Sequence, residues 1–230
     1  MARNAGSKAT LRKRIAASVF RRYSPALDSL NANARVSEWI ARNAPQVRVV
    51  ADKWALYDYL NDDVLGPGAI DYLEFGVYRG ASMRGWLQRN RHPESRFVGF
   101  DSFEGLPERW GRDFATGAFD TGGRLPDIDD PRVSFVKGWF QQSLRGFLRD
   151  FQPRNRLVVH NDSDLYSSTL YVLATLDPWI VPGTVLIFDE FSTPLHEFRA
   201  FADYTSAFVR EATPVAMSAD YAMQAAFVFG

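Results

Sequence analysis

Asp162, in the run VVHNDSDLYSST (158–169), and the pair Asp189-Glu190, in PGTVLIFDEF (182–191), each follow a short apolar stretch that reads as a buried strand. Twenty-seven residues separate Asp162 from Asp189, which suits two neighbouring strands joined through a helix. Three carboxylates converging at adjacent strand ends repel one another unless they are protonated or neutralised by a cation. Hard oxygen donors without His or Cys suit Mg²⁺, which prefers six oxygens and leaves positions for substrate and water. Taken singly, each acid is equally at home as a cap or surface residue. As a set, Asp162, Asp189 and Glu190 are the expected metal ligands.

Two further blocks carry chemistry. In YLEFGVYRGAS (72–82) a strand runs into Glu74, and Gly76 and Gly80 open a turn before a helix that begins near Ser82. Glycine at 76 lets backbone approach a ligand closely, and the helix start offers free N–H groups to a carboxylate or phosphate. The spacing is G-x-x-x-G, which counts against the dinucleotide pattern G-x-G-x-x-G, and a glycine turn after a strand is also plain connection chemistry. In RFVGFDSFEGLPE (96–108), Asp101 ends the next strand 27 residues after Glu74. An acid there can accept both hydroxyls of a ribose, although a turn or cap aspartate looks the same. Trp139 follows Gly138 at the end of a third strand, where an indole stacks on an adenine or simply packs.

The elements that hold these residues alternate. Apolar runs at Ile70–Phe75, Phe97–Phe100, Val133–Val136, Leu157–His160 and Thr184–Phe188 are separated by helical stretches at Ser82–Gln88, Gln141–Leu148, Leu165–Leu176 and His196–Val209. Such alternation predicts an α/β fold, a parallel sheet covered on both faces. Thr213–Met217 and Ala225–Phe229 suit an antiparallel edge hairpin. Residues 112–131 lack periodicity and are rich in Gly, Asp and Pro, as in a long loop over a binding site. In open parallel sheets ligands bind at the carboxyl ends of strands, where Glu74, Asp101, Trp139, Asp162, Asp189 and Glu190 all fall.

A chain of 230 residues suits one such domain with at most a small appendage. It contains no cysteine and three histidines, which removes disulfide scaffolds, thiolate zinc sites and cysteine nucleophiles and makes a multi-histidine metal site unexpected. No apolar run approaches the roughly 18 residues of a bilayer span. The formal charge is zero but uneven. Residues 1–48 hold ten Lys/Arg against two acids, net +8, and the remaining 182 residues are −8. An acidic body does not read as a nucleic-acid binder, whereas the basic head could meet an anionic surface, a phosphate or the acidic body itself. Leu11, Ile15 and Val19 recur at helical spacing, Ser24-Pro25 resembles a second helix start, and Leu27, Leu30, Trp39 and Ile40 are its candidate buried face. Residues 1–60 are thus expected to be a basic helical extension, with the catalytic domain at 61–230.

The wording and order of these blocks resemble the macrocin O-methyltransferase family, metal-dependent class I methyltransferases that act on sugar hydroxyls. The resemblance spans roughly residues 70–205 and is carried most specifically by D-x-D-L-Y at 162–166 and F-D-E at 188–190. It implies a Rossmann-like, seven-stranded, mostly parallel sheet with helices on both faces. It also implies that Glu74, Gly76, Val77 and Ser82, with the Gly80 turn, contact the methionine part of S-adenosylmethionine. Asp101 would hold the ribose, with Ser102 and Trp139 near the adenosine. Asp162, Asp189 and Glu190 would ligate Mg²⁺; many members have Asp-Asp where this chain has Asp189-Glu190, which keeps the charge on a longer side chain.

The expected activity is O-methylation of a hydroxyl on a small molecule, a sugar unit of a natural product or glycan, with catechol or phenol as the alternative acceptor. A non-catalytic protein on the same fold is the reading from another class. The general base is not obvious. Catechol methyltransferases place a lysine shortly after the first aspartate, but here that region is Ser163–Tyr166, so His196 is the candidate alongside Asp162. Asp164 and Tyr166 are expected at the rim, and His160 as a buried hydrogen-bonding histidine. The absence of an export signal and the need for a cellular methyl donor point to the cytoplasm. Homo-oligomerisation would use the N-terminal helices.

Overall fold

The protein was examined as a computed structural model, which describes the backbone of residues 3–111 and 113–230 and the side chains from residue 27 onward, Arg112 excepted, together with Lys13, Arg14, Ala17, Ser18 and Ser24. Strands β1 (Arg48–Val50), β2 (Ile70–Phe75), β3 (Arg96–Asp101), β4 (Val133–Lys137), β5 (Arg156–Asn161), β6 (Val185–Phe188), β7 (Ala212–Ser218) and β8 (Ala225–Phe229) form one sheet in the order β1-β7-β8-β6-β5-β2-β3-β4. Only β8 is antiparallel, to both β6 and β7. The helices are α1 (Arg3–Asn43), α2 (Lys53–Tyr59, continuing as a π-helical turn Leu60–Leu65), α3 (Ala81–Arg89), α4 (Phe140–Leu148), α5 (Tyr166–Leu176) and α6 (Glu197–Ala207).

The period of two along each central strand feeds two cores. On β2, Leu73 and Phe75 face one layer while Ile70 and Tyr72 face the other. On β6, Leu186 and Phe188 divide from Val185 and Ile187 in the same way. The first layer is closed by α1, α4, α5 and α6 through Val36, Leu144, Val172 and Phe201, the second by α2 and α3 through Leu56, Tyr57 and Trp86. These strands are buried on both faces, which explains their nearly continuous apolar sequence.

The sheet has eight strands where seven were expected. The added strand is β1, the short RVV segment, which pairs in parallel with β7 and flanks the β7–β8 hairpin that was expected at the edge. Three residues, with Arg48 and Val49 exposed, carry too little alternation to signal a strand. Residues 48–60 therefore contribute a strand and a helix to the same sheet and core, with Leu56, Tyr57 and Leu60 fully buried.

No second helix starts at Ser24-Pro25, because α1 continues through it. The Ser24 hydroxyl donates to Asp28 within the helix (3.0 Å) instead of capping a new one. The face that packs also differs. Leu27 and Leu30 are exposed, whereas Ala32, Val36 and Ala44 are buried and Trp39 and Ile40 lie against the first core layer. Leu11, Ile15 and Val19 fall outside the described side chains. Among the described residues no helix is long and apolar enough to cross a membrane.

Candidate active site

From β2 the chain proceeds to β3 and β4 on one side, then returns to place β5 and β6 on the other. The strand order thus reverses between β2 and β5, and a crevice opens at their carboxyl ends. The two strands meet there backbone to backbone. Asp162 N–H donates to the Phe75 carbonyl (2.9 Å), and a Cβ on Gly76 would stand 1.7 Å from the Asp162 carbonyl oxygen. Gly76, at φ +93°, is required by this approach of protein to protein, independently of any ligand.

The crevice is an open cleft. Gly76, Val77, Asp101, Ser102, Trp139, Asp162 and Glu190, all expected at the site, line it. Glu74, Gly80, Ser82, Asp189 and His196 are not among its lining residues. Gly80, with φ +76°, is the N-cap of α3, and a Cβ there would press on Pro126 and Ile128 of the loop above. The Asp101 carboxylate is engaged by its own loops: Oδ2 accepts from Val77 and Tyr78 N–H (2.8 Å each) and Oδ1 from Phe103 N–H (2.7 Å). It fixes the two turns that wall the cleft. Trp139 caps α4 without a side-chain bond. The long connection between β3 and β4 supplies the roof, where Trp110 stacks on Phe114 (4.9 Å) and Phe119 meets Phe114 (5.1 Å) and Tyr78 (5.7 Å).

Beneath the cleft lies a buried polar relay. Tyr72 donates to Glu74 (3.0 Å), so His160 Nδ1–H donates to the Tyr72 hydroxyl oxygen (2.6 Å) while Nε2 accepts from Tyr57 (3.3 Å). Burial, reinforced by the Lys53 charge, lowers the His160 pKa to about 3, so its imidazole is neutral. His160 is thus a buried hydrogen-bonding residue. Glu74 is pushed up to about 8 by burial, against the opposing effects of Tyr72 and Lys53.

The acids gather around Asp162. Ligand atoms of Asp162, Asp164 and Glu190 lie within 4.8 Å of one another, as do those of His160, Asp162 and Asp189. Asp162 is common to both groups, with Asp189 in one and Glu190 in the other. Burial first, and then neighbouring carboxylates, hold Asp162 and Glu190 well above the ordinary carboxylate range. Asp164, at φ +61°, is pushed up to about 7 by burial and the Asp189 charge. Glu190 Oε2 is buried and accepts no hydrogen bond, whereas buried Asp189 Oδ1 faces the Lys53 ammonium at 3.2 Å. Unpaired buried carboxylate oxygens are costly. A carboxylate-rich set with an orphaned acceptor on Glu190 fits a hard divalent cation.

Two residues were not singled out from sequence. Lys53, the first residue of α2, places Nζ 3.2 Å from each Asp189 oxygen and 3.4 Å from Ser82 Oγ. Burial opposes its charge, but Asp189 and Asp162 more than offset this and raise its pKa. Glu197, fully buried, accepts from Glu190 N–H (3.0 Å) and Asn161 Nδ2 (2.9 Å) and so fixes the turn that presents Asp189 and Glu190. Asp164 had been expected only at the rim, yet it lines the cleft. His196 stands at the N-cap of α6 with a buried, unpartnered Nδ1, its pKa lowered by burial.

A family model described as "Methyltransferase domain" matches residues 73–191, from β2 to the end of the Asp189-Glu190 turn. The 8-demethyl-8-(2,3-dimethoxy-alpha-L-rhamnosyl)-tetracenomycin-C 4'-O-methyltransferase of Streptomyces olivaceus is 32% identical over 171 residues, 61% of this chain and 62% of that protein. The demethyldecarbamoylnovobiocin O-methyltransferase of Streptomyces niveus is 30% identical over 155 residues, 56% of each chain. The chain therefore aligns with about three-fifths of the length of these curated relatives. Among solved structures, the O-methyltransferase NovP superposes with a TM-score of 0.57 at 25% identity, covering 76% of this chain and 78% of its own.

Proposed function

The chain belongs to the methyltransferase-domain family, and from that premise we propose that it is an S-adenosylmethionine- and Mg²⁺-dependent O-methyltransferase acting on a sugar hydroxyl of a small natural product or glycan. The observation that carries the reading is the orphaned carboxylate oxygen of Glu190 beside Asp162, with Asp189 neutralised by a lysine, at the edge of a cleft on the topological switch point. Two relatives whose names describe O-methylation of natural products, one of them at a rhamnosyl unit, support the same acceptor class.

Asp162, Asp189 and Glu190 would hold the cation. When bound, Mg²⁺ would supply Lewis acidity that favours loss of a proton from a substrate hydroxyl. The donor would lie along Gly76, Val77, Asp101, Ser102 and Trp139, with an activated methyl group that needs alignment more than further activation. Asp164 is better placed than His196 to receive the hydroxyl proton, since it lines the cleft among the acids and His196 does not. The aromatic side chains of Trp110 and Phe119 line the cleft and suit an acceptor whose sugar is carried on an apolar, aromatic body.

The deciding experiment is turnover of S-adenosylmethionine with a panel of deoxysugar glycosides and, separately, catechols, each with Mg²⁺ and with chelator. Methylation of glycosides that chelator stops and Mg²⁺ restores is the expected result. Turnover of catechols alone would replace the acceptor class, and turnover insensitive to chelator would remove the cation.

A further inference from the structure

We infer that Lys53 is an internal counter-ion that competes with a divalent cation for Asp189. The inference rests on the cation reading above and goes beyond it, because it concerns a residue from the N-terminal part of the chain that the acidic motifs do not contain.

Lys53 is held in place from its own side. Asp52 caps α2 by accepting from Ala55 N–H (2.9 Å), and Leu56 and Tyr57, fully buried, anchor the helix in the second core layer. The ammonium is consequently delivered to the cluster rather than left to find it. It sits 3.2 Å from both oxygens of Asp189, whose side chain is 12% exposed. A carboxylate this enclosed, among other acids, binds whatever positive charge is nearest.

A divalent cation seated on Asp189 brings like charge within a few ångströms of that ammonium, which low-dielectric surroundings make costly. The two cannot share the same carboxylate oxygens. Lys53 has somewhere to go: Ser82 Oγ lies 3.4 Å from Nζ, and the ring of Trp54 is 5.7 Å away. Loading the cation would therefore turn the lysine from Asp189 toward Ser82, at the first turn of α3. The empty cluster stays neutralised, and cation affinity is lower than three bare carboxylates would give.

The test is calorimetric titration of Mn²⁺ into the full chain, comparing wild type with Lys53→Met, Lys53→Gln and Lys53→Arg, with S-adenosylhomocysteine affinity and melting temperature as fold controls. The expected result is at least a tenfold gain in Mn²⁺ affinity for Lys53→Met, and wild-type affinity within about threefold for Lys53→Arg. A merely structural lesion would loosen the site and move affinity the other way. Lys53→Gln, which keeps length and polarity, gives the same reading if the methionine variant fails to fold. Mn²⁺ binding to wild type that is unchanged or weakened on loss of the lysine charge overturns the competition and leaves the cation reading standing. Failure of every folded protein to bind Mn²⁺ overturns both.

Discussion

Gly76 and Asp162 meet with no room for a side chain between them: a Cβ at 76 would fall 1.7 Å from the Asp162 carbonyl oxygen. This contact joins the turn after β2 to the acid after β5, so the proposed donor and cation halves of the cleft share one backbone constraint. Gly76→Ala must displace one strand end or the other, at an expected cost on the order of 3 kcal/mol. The same change should weaken S-adenosylhomocysteine and Mn²⁺ binding together. Urea unfolding and the two titrations check this. Loss of one binding event with the other intact would show that the halves are independent.

Asp164→Asn preserves size while removing the carboxylate charge and the ability to take a proton. Turnover should fall by about 10²- to 10⁴-fold, the range for a lost general base. S-adenosylhomocysteine and Mn²⁺ affinities should stay within about threefold. A parallel loss of Mn²⁺ binding would make Asp164 a ligand instead of a base. His196→Gln, by contrast, is expected to leave turnover within about threefold, since His196 is not among the residues that line the cleft.

The acids and glycines of the site were legible in sequence because strand ends are marked by the switch from apolar to polar residues. That pattern gave β2 and β8 to the residue, and the other central strands within a residue at either end. Lys53 was not legible, because its partner Asp189 lies 136 residues away and only tertiary packing joins them. Glu197 escaped notice for a related reason. An acid in the first turn of a helix reads as a favourable dipole partner, while here it is buried against Glu190 and Asn161. The continuous α1 ran against the usual meaning of proline inside a helical pattern.

His160 makes acid sensitivity part of the fold. Its pKa is about 3 when folded and about 6.5 when unfolded, so between these values the unfolded chain binds the extra proton. The contribution of His160 to stability should therefore fall as pH is lowered from about 6.5 toward 3, with His196, also depressed by burial, acting in the same direction, while the buried acids with raised pKa values, Glu74, Asp162, Asp164, Glu190 and Glu197, act in the opposite one. His160→Gln is expected to be less stable at pH 7, because Tyr72 and Tyr57 lose their partner. It should also lose less stability than wild type between pH 7 and 5. Urea midpoints at the two pH values decide it, and parallel losses would place the sensitivity elsewhere.

Asp71 governs a lower window. Only 1% exposed at the start of β2, it accepts two bonds from Arg96 (2.6 and 2.7 Å) and two from the backbone N–H groups of Arg154 and Asn155 (2.6 and 3.0 Å). Burial alone would raise its pKa, but these donors outweigh it and hold the carboxyl below the ordinary value. The stabilisation is complete above the unfolded pKa of about 3.9 and disappears as pH falls through the lower folded value. Asp71→Asn should cost about 3 kcal/mol at pH 7, the loss expected when one partner of a buried pair is removed. The gap from wild type should narrow at pH 3. An equal gap at both values would mean that packing, rather than charge, holds this corner.

Trp110 tests whether the roof recognises the acceptor. It lines the cleft and stacks on Phe114, while Asp101 and Trp139, proposed to meet the donor, are positioned by other elements. Removing the indole should therefore separate the two ligands. Trp110→Ala is expected to raise the acceptor KM by about tenfold or more, with S-adenosylhomocysteine affinity kept within about twofold, because an aromatic contact of this kind contributes on the order of 1 kcal/mol beyond its buried area. The effect should be largest for glycosides of aromatic aglycones and smallest for a free sugar. Equal effects on all acceptors would make the roof a water barrier, and an effect on the donor would place Trp110 beside the adenosine.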